Sequence, residues 1–141
     1  MIRSRINWDH LKPQPVFVYG TLRAGGGLFA SFLPLITSVE RGLTTSGDLY
    51  FHPDTNKIPV ADLTGEGTVQ GDLLMLNERG MREVVLMEYG AGYISKQVTV
   101  NGSEHGVSTA IAFHWPHYPD VGSKIDDGDF LVAQMLQQGA W

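Results

Sequence analysis

Val16-Phe17-Val18-Tyr19-Gly20-Thr21-Leu22 runs a strand directly into a glycine-punctuated loop. Val16, Phe17, Val18 and Tyr19 are β-branched or aromatic, the residue types that fit a pleated, buried strand. Gly20 then permits a close backbone approach that a side chain would block. Thr21 adds a hydroxyl beside backbone amides that a strand end leaves unpaired. A strand end followed by free N–H groups is a cradle for an anion such as a carboxylate or phosphate.

Outward from this segment the chain reads as short elements separated by turn residues. Upstream, residues 1–15 contain Pro13 and Pro15 and no period, and are expected to form a loose arm. Downstream, 28–39 reads as a short helix broken near Pro34. Residues 42–51 read as a strand kinked by glycines, with a turn at Pro53, Asp54 and Asn56. Residues 68–76 read as a further strand, and 78–88 as a helix capped by Asn77. Strands are expected at 93–100 and 107–115, joined across 101–106, where Asn101-Gly102 favours a primed hairpin turn. From Asp126 the chain makes an acidic turn and ends in a short helix.

Many short strands, few helices and 17 glycines predict an α+β domain: a small, mixed, mostly antiparallel sheet or barrel with one or two short helices. Alternating βα units are not indicated. The 141 residues suit one domain, expected over 16–131 between the arm at 1–15 and a tail at 132–141.

Composition narrows the partners. The net charge of −5, with no basic stripe, argues against nucleic acid, whose phosphates require clustered cations. The chain has no cysteine, which removes disulfides, a thiol nucleophile and cysteine-ligated zinc. Arg3 and Arg5 are not followed by an apolar run, so no secretory signal is read. No stretch reaches the roughly 18 apolar residues of a membrane-spanning helix. A soluble, cytoplasmic protein with no membrane partner is expected.

Several motifs fall short of the chemistry they suggest. Gly20 to Gly27 has phosphate-loop glycine spacing, but Gly26 and Gly27 stand where the lysine and hydroxyl residue belong, so nucleotide binding is rejected. Gly25-x-Gly27-x-x-Ala30 begins too far from the strand for a dinucleotide fingerprint; a flexible hairpin or lid is the simpler reading. His114 and His117 flank Trp115-Pro116 and read as structural or surface residues, not a metal pair. Asp126, Asp127 and Asp129 lack the spaced ligands of a calcium loop and read as a solvated turn. Glu88 leaves two readings open. It follows Val84-Val85-Leu86-Met87 and precedes Tyr89 and Tyr93, so it is either a desolvated carboxylate with a raised pKa, usable as a base near neutrality, or a helix-terminal Glu facing solvent.

Taken together, Val16-Phe-Val-Tyr19-Gly20-Thr21-Leu22-Arg23, then Glu88, then Tyr93, resemble the γ-glutamylcyclotransferase-like family with its AIG2-like members. Weaker blocks follow in family order: Gly47-Asp-Leu-Tyr50, Val69-Gln-Gly-Asp-Leu-Leu74 and Ile125-Asp-Asp-Gly-Asp-Phe130. The resemblance implies a compact mixed barrel with a cavity. It implies that Tyr19, Gly20, Thr21 and Leu22 form a substrate loop whose amides hold an α-carboxylate. It implies that Glu88 is the catalytic acid/base, that Tyr93 belongs to the substrate site, and that no metal or cofactor is used. The reaction implied closes a γ-glutamyl group into 5-oxoproline and releases an amine or amino acid. The chain departs from the family pattern at Val85, where Asp is common, at Tyr89, where Gly is common, and at Ser95, where Arg is usual. Two other readings stand beside the enzyme: a non-catalytic module binding a small carboxylate or a partner, and an interaction surface at Phe113-His-Trp-Pro-His-Tyr118.

Overall fold

A computed structural model describes residues 6–103 and 106–137. Seven strands and three helices follow one another: β1 (Pro15–Val18), α1 (Phe29–Phe32), β2 (Ile36–Ser46), β3 (Asp48–His52), β4 (Thr55–Asp62), β5 (Thr68–Leu76), α2 (Glu78–Gly90), β6 (Ile94–Ser103), β7 (Gly106–His114) and α3 (Phe130–Gln137). Five strands close a barrel in the order β1-β5-β2-β6-β7, and β3-β4 forms a separate two-stranded sheet. The barrel pairs are antiparallel except β1 with β7, whose parallel contact at Val16 and Ile111 closes the ring. The α+β, mixed and mostly antiparallel barrel expected from the sequence is the architecture observed.

β1 is buried on both faces. Val16 and Val18 join an apolar cluster with Leu74, Met81, Val84, Val85 and Ile111. Phe17 and Tyr19 join a second cluster with Leu43, Val69, Ala112 and Phe130. The period-2 alternation of a strand thus divides this short segment between the two halves of the core. α2 covers the first half. Its Asn77 side chain accepts a hydrogen bond from the Gly80 amide at 2.8 Å, as an N-cap should. Its buried residues are Gly80, Met81, Val84, Val85 and Tyr89, the 3.6-residue stripe of a helix packed on a sheet.

Local departures from the sequence reading have physical causes. The helix read over 28–39 is a single α turn and a 3-10 turn around Pro34, after which Ile36 starts β2. The strand read over 42–51 is two strands, parted at Gly47, whose φ is +157°. β4 is not expected from the sequence: it opens with Thr-Asn-Lys and contains Pro59. A proline is tolerated there because β4 pairs on one side only, with β3. Asn101-Gly102 is not the hairpin turn. It lies within β6 at a register irregularity, where Gly102 takes φ +93°, the device of a β-bulge. Ser103 pairs with Gly106, and residues 104–105 of the expected 101–106 link lie outside the described residues. The segment before β1 is not loose from residue 6 onward. Ile6 is buried in the first cluster, and a 3-10 turn at Trp8–Leu11 follows.

Candidate functional site

The loop after β1 is built from stacked turns. Arg23 N–H donates to the Gly20 carbonyl (3.1 Å), Gly26 to Arg23 (2.7 Å) and Leu28 to Thr21 (2.8 Å). A Cβ at Gly26 would lie 2.4 Å from the Thr21 carbonyl oxygen, so only glycine closes this loop. The flexible hairpin read for Gly25–Gly27 is therefore a tightly turned connection. Among the described residues, the amides of Gly20, Thr21 and Leu22 donate to no protein acceptor.

An ion network fixes the outer side of this loop. Arg23 Nη1 donates to Asp129 at 3.0 Å, and its Nε lies 3.9 Å from Asp72. Asp72 is 1% exposed and also accepts the Ala24 amide (2.9 Å) and the Gly42 amide (3.2 Å). Asp129, read as part of a solvated turn, instead clamps the loop from the start of α3. These carboxylates hold the Arg23 guanidinium, which is absent from the cavity lining.

Inside the loop lies a cavity of about 200 Å³, lined by Phe17–Leu22, Leu28, Ile58, Pro59, Met87, Glu88, Ala91, Tyr93 and Phe113. Tyr19, Gly20, Thr21, Leu22, Glu88 and Tyr93, all singled out in the sequence, converge on this one space. Glu88 is its only charged residue. Burial raises the Glu88 carboxyl from 4.5 to about 7, and no cation in the lining offsets that cost. Of the two readings left open for Glu88, the desolvated carboxylate is the one the fold realises. Met81, Val84, Val85 and Glu88 follow i, i+3, i+4, i+7, so Glu88 stands half-buried at the end of the stripe that α2 turns to the core, with its carboxyl in the cavity lining, a sign the sequence already carried.

The two tyrosines frame the carboxyl. Tyr93 donates its hydroxyl to the Pro59 carbonyl at 2.6 Å, and Tyr19 donates to the Phe113 carbonyl. Burial pushes both phenols up, and the nearby Glu88 charge adds to this. Their hydroxyl protons are committed to backbone, so they contribute shape and an electronegative rim, not free donors. Pro59 closes the space on the opposite side. A Cβ at Gly20 would meet Pro59 Cγ at 2.8 Å and Cδ at 2.9 Å, so glycine lets the loop touch β4. Ile58, Pro59, Leu28, Met87, Ala91 and Phe113 were missed in the sequence because an unread strand and an isolated apolar residue give no local signal of lining a cavity.

The positions that depart from the family pattern lie outside this lining. Val85 is fully buried in the first core cluster. Tyr89 and Ser95 satisfy one another: their hydroxyls lie 2.9 Å apart, the Ser95 amide donates to Tyr89 Oη at 3.1 Å, and Ser95 Oγ lies 2.7 Å from His10 Nδ1. The substitutions thus form an alternative packing outside the cavity wall. His114 accepts the Leu63 amide on Nδ1 (3.0 Å), and His117 Nε2 lies 3.0 Å from the Gly92 carbonyl; both serve structure. No described helix is long and apolar enough to cross a membrane.

The family model for γ-glutamyl cyclotransferase, AIG2-like proteins matches residues 16–132. Solved structures share the fold. YkqA from Bacillus subtilis is 22% identical with a TM-score of 0.68; the match covers 90% of this chain but 43% of that longer chain. PH0828 from Pyrococcus horikoshii is 24% identical, with a TM-score of 0.64 and coverage of 89% and 96%. An AIG2-like protein from Mus musculus is 22% identical, with a TM-score of 0.67 and coverage of 78% and 82%. No curated protein matches the chain.

Proposed function

Given that the chain belongs to the γ-glutamyl cyclotransferase, AIG2-like family, we propose that it converts a small γ-glutamyl compound into 5-oxoproline and a free amine or amino acid, with Glu88 as the general acid/base. The supporting observation is that one cavity is lined both by Glu88, its carboxyl raised to about 7, and by Gly20, Thr21 and Leu22, whose amides donate to no acceptor among the described residues. One group suits an ammonium, the other a carboxylate, and a γ-glutamyl group carries both on its α-carbon.

The chemistry needs no protein nucleophile. The substrate's α-nitrogen forms a bond to its own γ-carbonyl carbon, and the bond from that carbon to the leaving nitrogen breaks. The cavity contributes by folding the substrate so that the two atoms meet. The α-amine is an ammonium near neutrality, with a pKa of roughly 8. A carboxylate at about 7 accepts its proton at a cost of about 1.4 kcal/mol per pH unit of mismatch. An ordinary carboxylate near 4.3 would face a mismatch several-fold larger. The attacking nitrogen has two protons to lose on the way from ammonium to lactam. Glu88 takes the first before attack and passes it to the departing nitrogen. The second, shed once the new C–N bond has formed, follows by the same carboxylate, so that the amine leaves as an ammonium and Glu88 ends as it began. Loop amides turned to the γ-carbonyl oxygen stabilise the charge that develops there.

The test is 5-oxoproline release from a panel of γ-glutamyl compounds by wild type and Glu88→Gln in parallel. Removing a positioned proton-transfer group is expected to cost about 10²–10⁴-fold in turnover. Undiminished turnover by Glu88→Gln would remove Glu88 from the reaction. Ligand-induced stabilisation without product from any compound would favour a binding module on the same scaffold.

A further inference from the structure

The segment Phe113-His-Trp-Pro-His-Tyr118 keeps its indole inside. Trp115 is 6% exposed and absent from the cavity lining, yet it packs against a residue of that lining. Its ring meets Tyr93 edge-on, with centroids 5.1 Å apart. Its Nε1 donates to the Asp120 carbonyl at 2.8 Å, and its amide donates to the Ala61 carbonyl of β4 at 2.8 Å. The exposed His117 ring packs on the indole, centroids 4.6 Å apart, and its Nε2 donates to the Gly92 carbonyl at 3.0 Å. Gly92 has φ +99°, and a Cβ there would lie 3.3 Å from His117 Nε2 and 3.4 Å from Trp115 Cζ3. Glycine thus lets the turn between α2 and β6 settle on both rings. In that turn the Tyr93 amide donates to the Glu88 carbonyl at 3.0 Å.

With Glu88 as the base of the proposed reaction, we infer that Trp115, braced by His117, is a positioning residue: it seats Tyr93 so that the phenol holds Pro59 against Gly20 and keeps the cavity wall closed. Pro59 belongs to the separate two-stranded sheet, so its place beside the barrel depends on tethers between the two. Trp115 serves two of them. It backs the Tyr93 ring, whose hydroxyl donates to the Pro59 carbonyl, and its own amide bonds Ala61. Loosening these contacts parts Pro59 from the Gly20 loop and admits water. Glu88 reports that water, because desolvation is what holds its carboxyl up. The titratable side chains that line the cavity with it are the phenols of Tyr19 and Tyr93, and the rest of the lining has none.

The test titrates Glu88 by NMR of isotope-labelled glutamate carboxyls, its resonance assigned by its loss in Glu88→Gln. Wild type, Trp115→Leu, His117→Ala and Tyr93→Phe are compared, with folding checked by urea unfolding. Trp115→Leu is expected to lower the Glu88 midpoint from about 7 toward 4.5, by at least about one pH unit. His117→Ala should move it less and in the same direction, and Trp115→Phe should restore most of the shift. The acid limb of kcat/KM for 5-oxoproline should follow. Trp115→Leu combined with Tyr93→Phe should shift the midpoint no further than the larger single change, because both act on one tether. A residue that served the core alone would change the urea midpoint and leave the carboxyl near 7. That result in folded Trp115→Leu overturns the inference; where this variant does not fold, an unmoved midpoint in His117→Ala overturns it. Additive shifts overturn the route through Tyr93. The titration needs no turnover, so absence of 5-oxoproline from every compound overturns the cyclotransferase reading and leaves the positioning role to be decided by the midpoints.

Discussion

Glu88→Gln is expected to stabilise the fold while it disables the site, and the gain has a defined pH dependence. Burial raises the carboxyl from 4.5 to about 7, so the folded state disfavours the anion by about 3 kcal/mol, at roughly 1.4 kcal/mol per pH unit. The sign follows from proton counting. Between 4.5 and about 7 the folded state holds the Glu88 proton and the unfolded chain has released it. Stability therefore falls as pH rises through that window. Below it both states are protonated and the carboxyl has no pH-dependent cost. Above it the full penalty is present and constant. Glutamine keeps the size and carries no charge, so it escapes this penalty. Urea unfolding of both proteins from pH 4 to pH 8.5 should give a stability difference that grows by about 3 kcal/mol in favour of Glu88→Gln across the window, then levels. At pH 8 this corresponds to a Tm higher by roughly 10 °C for a domain of this size. A difference independent of pH, or one that moves against glutamine as pH rises, would refute the argument. It would mean that the carboxylate is matched by partners within the fold and is not the desolvated base described.

The same carboxyl should appear in the kinetics. The acid limb of kcat/KM for 5-oxoproline release is expected near pH 7, where Glu88 loses its proton, and the alkaline limb near 8, where the substrate ammonium does; an acid limb near 4.5 would place the titrating group elsewhere. Asp72→Ala removes the shared acceptor of the Ala24 and Gly42 amides and one of the two carboxylates holding Arg23. It should destabilise the protein by about 3–5 kcal/mol, the usual cost of breaking a buried charged pair from one side, measured by the shift of the urea midpoint. A loss under about 1 kcal/mol would show that the network behaves as an exposed surface pair.

Some of the fold was legible because it is written in local pattern. β5 runs over the same residues, 68–76, in the sequence and the structure. Asn77 caps α2 as its side chain and position dictate. What escaped was non-local. β4 carries only the short apolar run Ile58–Ala61, interrupted by Pro59, and its pairing with β3 makes a strand of Thr55–Asp62. The Tyr89–Ser95–His10 contacts join residues up to 85 positions apart, and no spacing rule anticipates them.

By itself the sequence determined the kind of object this is: an α+β barrel chain with a strand-loop segment that frees backbone amides at Gly20–Leu22, and a carboxylate at position 88. Those features rest on propensity, dihedral freedom and helical period, all of which act over a few residues. Only the tertiary structure decided what surrounds the carboxylate. Glu88 is near an ordinary acid or a base at about 7 according to whether water reaches it. That depends on walls brought together from β1 and β7 of the barrel, from α2, and from β4 of the separate two-stranded sheet. Desolvation is a property of a volume, and the residues that bound a volume need not be neighbours in the chain.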